Sequence, residues 1–171
     1  MRILVVGIIL IINTILQSTY FEYIQIIDIK PNTAIVIIVA FALMRGSFEG
    51  AIIGFFAGLL QDMIFGSNIG LNALLGLYVG YFCGKLNKDF FTENYFLELG
   101  LCIVSVLFYE CVVYIFGFLV RGKTDFIYCL NTIIIPEVVY TSFISLFVYK
   151  FLYFVNSKLE DREKIKRSFL R

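Results

Sequence analysis

The chain has 171 residues, of which 60% are apolar and 16% charged, whereas a soluble domain is about half apolar and about a quarter charged. A soluble fold of this length has no place to hide so much apolar surface, so the composition points to lipid as the solvent, and a net charge of +1 gives no reason to expect a nucleic-acid partner. The sequence contains no histidine, which removes the commonest general base and the commonest metal ligand; no cofactor and no enzymatic activity are expected.

A helix crosses a bilayer with about 20 mostly apolar residues. Six stretches approach that requirement: Ile3–Tyr20, Thr33–Met44, Ser47–Phe65, Leu71–Leu86, Tyr95–Val120 and Glu137–Val155. The reading is an all-α integral membrane protein, a bundle of about six helices. Residues 1–156 form one membrane domain and residues 157–171 a charged tail.

The first stretch has the charged start and apolar run of a signal peptide. No small-residue cleavage site follows Ile12, so it is expected to stay as a helix. Its polar residues Asn13, Thr14, Gln17 and Ser18 share one side through i,i+4 spacing. The second stretch is short, and is expected to start at Pro31 or to lean into the membrane interface. Phe126–Ile135 is apolar but too short to span, and reads as an outer-surface or re-entrant segment. Pro136 then starts the last helix, with Glu137 in its first turn. The four cysteines, Cys83, Cys102, Cys111 and Cys129, have no CxxC spacing and read as small buried apolar residues.

Lysine and arginine set the orientation. With a cytoplasmic N-terminus and six crossings, Arg2, Arg45, Lys85, Lys88, Lys150, Lys158, Arg162, Lys164, Lys166, Arg167 and Arg171 fall on the cytoplasmic side. Only Lys30, Arg121 and Lys123 fall outside, a bias of eleven to three. Both termini are therefore expected in the cytoplasm. The tail mixes Glu160, Asp161 and Glu163 with its bases and reads as a solvated helical end that touches anionic lipid.

Gly46, Gly50, Gly54 and Gly58 recur every fourth residue, with Asp62 continuing the row, and Gly76, Gly80 and Gly84 repeat the spacing in the next stretch. Residues four apart lie on one helix face. A face without side chains lets a second backbone approach, and close packing is a main source of helix affinity in lipid. The two rows are expected either to pack on each other or to offer a face to a partner.

Acidic residues within spans are candidates for function. Nine Phe, Ile and Leu residues in Ser47–Phe65 favour its insertion by roughly 3–5 kcal/mol, against about 3 kcal/mol for Asp62. That narrow margin favours Asp62 facing protein and bonding to Asn72 or to a backbone N–H. Glu110 sits near the middle of the fifth stretch with no evident partner in sequence. Glu49 is one turn from Arg45 and can pair with it. Glu98 and Glu137 lie near helix ends, where water is expected.

The run Arg45-Gly46, Gly50, Gly54, Gly58-Leu59-Leu60-Gln61-Asp62, Gly66, Gly70-Leu71-Asn72-Ala73-Leu74 and Gly80-Tyr81 resembles the central signature of the MreD family of rod shape-determining proteins. The Pro31-Asn32 pair is similar to the family's pattern, and the flanks agree in hydropathy. The resemblance implies a multi-pass protein of the bacterial cytoplasmic membrane. It implies partners in the cell-elongation machinery: MreC, the actin-like MreB, a RodA-type glycosyltransferase and a transpeptidase. It also implies a fold similar to the substrate-binding subunits of energy-coupling-factor transporters. The leading expectation is a non-enzymatic scaffold for peptidoglycan synthesis that helps to set rod shape. The alternative is the vitamin-binding subunit of a membrane transporter. Such subunits dock through an alanine-xxx-alanine face on the first helix, and the first helix here has no alanine.

Overall fold

The computed structural model describes residues 2–19, 30–65, 70–86, 95–116 and 130–169. They form six α-helices, and no strand occurs among them: α1 (Arg2–Thr19), α2 (Thr33–Arg45), α3 (Ser47–Phe65), α4 (Leu71–Lys85), α5 (Tyr95–Tyr114) and α6 (Ile135–Phe169). The helical segments Ser47–Ile64, Phe96–Tyr114 and Leu130–Leu159 are long and apolar enough to cross a membrane, whereas the apolar helices Val5–Thr19 and Thr33–Arg45 are shorter.

The bundle is built around α2. Every residue from Thr33 to Met44 is buried, because α3, α4, α5, α6 and α1 all pack on it. This corrects the expectation that the second stretch leans into the interface. A helix that is apolar all round is a buried one, and Thr33–Met44 has no polar face to present. The helix also starts at Thr33, later than Pro31, with Asn32 as its N-cap.

The outside of the bundle is inverted relative to a soluble protein. Ile8, Ile12 and Ile15 on α1, Phe55 and Phe56 on α3, Phe82 on α4, and Phe143, Phe147 and Phe151 on α6 are all exposed. On α1 the buried positions are Leu10, Asn13, Thr14 and Gln17, one stripe at helical spacing. The Thr14 hydroxyl satisfies itself by donating to the Leu10 carbonyl at 2.7 Å.

The last helix departs from the sequence reading at its start. Leu130–Ile134 is a single π-helical turn that runs directly into α6. Proline has no N–H to give to the carbonyl four residues back, so a wider turn next to Pro136 is the local outcome. The end of the supposed surface segment is thus helical, and its beginning lies outside the described residues, as do Cys129 and residues 117–120 of the fifth stretch. At its other end α6 continues through residue 156 without a break.

Candidate functional site

The glycine rows sit face to face. A Cβ on Gly54 would strike the carbonyl of Gly76, one on Gly80 the carbonyl of Gly50, one on Gly58 the carbonyl of Asn72, and one on Gly84 the backbone of Gly46. Each step of four up α3 meets a step of four down α4, so the helices are antiparallel with backbones in contact. Gly50 also meets α2, where an added Cβ would lie 2.7 Å from that of Ala42. Gly46 lies between helices: it ends α2, its N–H donating to the Ala42 carbonyl at 2.8 Å, and its φ of +90° with ψ of 179° is a conformation essentially confined to glycine.

Asp62 closes this hairpin. It is 2% exposed. Its Oδ2 accepts from the Gly70 N–H at 2.9 Å and the Ala73 N–H at 3.0 Å, and its Oδ1 from the Asn72 N–H at 3.2 Å. The carboxylate caps the first turn of α4, where backbone donors have no partner within the helix and the helix dipole favours a negative charge. Asn72 takes part through its backbone, as donor to Asp62 and as contact for Gly58.

Next to Asp62, a chain of buried polar groups ties four helices together. The Tyr109 hydroxyl on α5 donates to Gln61 Oε1 at 3.3 Å, and Gln61 Nε2 donates to Asn32 Oδ1 at 3.3 Å. Asn32 Oδ1 also accepts from the Ile35 N–H at 3.4 Å, and the Asn32 N–H donates to Thr141 Oγ1 on α6 at 3.1 Å. Asn32, Gln61, Tyr109 and Thr141 are all buried. Sequence reading named none of the four as site residues. Asn32 and Gln61 were visible in it as neighbours of Pro31 and Asp62. Tyr109 and Thr141 carried no signal, since each is one polar group in a long apolar helix.

The acidic residues are placed differently from expectation. The Glu137 carboxyl group is hydrogen-bonded to that of Glu110, so Glu110 has a partner 27 positions away in sequence, and Glu137 at its helix end does not simply face water. Glu98 is fully buried, at 0% exposed, and packs beside Cys102 and Ser145. The expectation of water there fails because α6 runs past the first turn of α5 and covers it. Cys83 and Cys102 are buried free thiols, with Cys83 Sγ 3.4 Å from Ser105 Oγ, and Cys111 is half-buried. No group of residues able to hold a metal ion occurs among those described.

Arg45 and Glu49 lie away from the polar chain. Both line an apolar cavity of about 720 Å³ between α1, α2 and α3.

Residues 1–156 match the family model described as rod shape-determining protein MreD. No curated protein and no solved structure matches the chain.

Proposed function

The chain belongs to the MreD family of rod shape-determining proteins, and from that premise we propose that it is a non-enzymatic scaffold of the cell-elongation machinery in the bacterial cytoplasmic membrane. The family ties the chain to rod shape. The proposal adds what it does there: it holds MreC, a RodA-type glycosyltransferase, a transpeptidase and MreB near one another during peptidoglycan synthesis. Residues 1–156 are its membrane domain, with both termini cytoplasmic, and residues 157–171 are a charged tail.

One observation carries this reading. The buried polar groups around Asp62 are spent on holding helices to each other. Asp62 caps α4, and Asn32, Gln61, Tyr109 and Thr141 link α2, α3, α5 and α6. A buried, satisfied network makes a core rigid and specific. The outer faces carry exposed Phe and Ile side chains on several helices, surfaces suited to lateral contacts within a membrane.

A tether acts by raising the local concentration of what it holds. Depleting this protein from a rod-shaped host with no second copy should give round, swelling cells that no added nutrient rescues. Rescue by an external vitamin would support the transporter-subunit alternative, on a fold similar to energy-coupling-factor subunits. Normal rods after full depletion would defeat the scaffold.

A further inference from the structure

We propose that the groove between α1 and α3 is a phospholipid site, occupied by a glycerophospholipid of the phosphoethanolamine class. The cavity of about 720 Å³ is walled by Val6, Gly7, Leu10 and Ile11 of α1, by Phe41 of α2 and by one face of α3 from Glu49 to Leu60. Its size falls within the range of about 300–1,000 Å³ typical of small-molecule sites.

Length and charge together select the occupant. Glu49 to Leu60 is about 16 Å of helix at ~1.5 Å per residue. The hydrocarbon core of a bilayer is about 30 Å thick, so the groove runs the depth of one leaflet. Its walls are apolar except at one end, where Arg45 and Glu49 stand. An acyl chain that begins at a charged interface and ends at the bilayer midplane has this length and this distribution of polarity. A guanidinium has five donors, enough to serve a carboxylate and a phosphate together. A carboxylate beside it matches a headgroup that also carries an ammonium.

Gly7 makes the space. A Cβ added there would meet nothing within 4 Å, although the residue lines the cavity. A side chain can therefore be added at this position without a clash at its first carbon, and a large one takes up groove space, which gives a test.

The protein, reconstituted with equal phosphatidylethanolamine and phosphatidylglycerol and then washed in mild detergent, is examined by native mass spectrometry. The expected result is one phosphatidylethanolamine retained per chain. Gly7→Phe should lower retention at least tenfold with an unchanged melting temperature, and Ile11→Trp should do the same if the first variant fails to fold. Glu49→Gln should shift the preference toward phosphatidylglycerol. Equal retention by wild type and both groove-filling variants, or no lipid on the wild type, would overturn the proposal. So would a protein segment, in place of lipid, captured by photo-cross-linking from position 7 in membranes. These readouts do not depend on cell shape, so their failure would leave the scaffold reading standing.

Discussion

A single carboxylate at Asp62 satisfies three backbone N–H groups at the start of α4, and its replacement separates charge from bonding. Asp62→Asn keeps one acceptor oxygen but turns an NH₂ toward backbone donors. We expect it to cost about 1–3 kcal/mol, the penalty for leaving a buried donor unsatisfied, and Asp62→Ala to cost more; thermal unfolding in detergent measures both. The Glu110–Glu137 pair gives the opposite result. Glu137→Gln supplies its own donor and should be tolerated, whereas Glu137→Ala leaves the half-buried Glu110 without its partner and should lower the melting temperature. If Glu137→Gln were as damaging as Glu137→Ala, the contact between these two side chains would not be what joins α5 to α6. The narrow insertion margin of α3 made a protein-facing Asp62 legible in the sequence. Glu98 and Glu137 were not legible, because nearness to a helix end was equated with water. Whether a helix end is wet depends on which helix covers it, and that helix, α6 over Glu98 and α5 beside Glu137, is far away in the chain.

At the scale of elements, the α3–α4 hairpin depends on its missing side chains. In Gly54→Leu the first added carbon already meets the Gly76 carbonyl, so the two backbones must separate. The expected loss is at or above the usual ~1–3 kcal/mol for overpacking. Gly100 offers a control, since a Cβ there meets nothing within 4 Å and alanine is favoured over glycine within a helix by up to about 1 kcal/mol. Gly100→Ala should leave the melting temperature unchanged or slightly raised; equal behaviour of the two variants would contradict the hairpin contact. Gly46→Ala tests a different cause. There is room for its Cβ, yet its φ of +90° makes a side chain costly by about 1–3 kcal/mol. Spacing by four residues exposes such rows in a sequence, but it does not say which row meets which. The register is pinned where Asp62 accepts from the N–H groups of Gly70, Asn72 and Ala73. The place of α2 was readable in principle from its uniform apolarity; its short length drew attention to the interface instead.

For the whole molecule, hydropathy made the all-helical membrane class and the six helices of the described residues legible, and the MreD signature in the central third made the family legible before the match over residues 1–156. The polar chain from Tyr109 to Thr141 was not legible, because it joins residues from four helices that only tertiary packing brings together. Orientation remains a proposal resting on the eleven-to-three bias of basic residues. Alkaline phosphatase fused after Gly66 or Lys123 should be active, and fused after Lys88 or Arg171 inactive; activity after Arg171 would mean an odd number of crossings. The scaffold itself is tested most directly by its company. The tagged protein, solubilised in mild detergent from a host that elongates as a rod, is purified and its partners are identified by mass spectrometry. The account predicts MreC together with the glycosyltransferase and transpeptidase of wall elongation in the eluate. Recovery of an ATP-hydrolysing transporter module, with those wall-synthesis proteins missing, would contradict it.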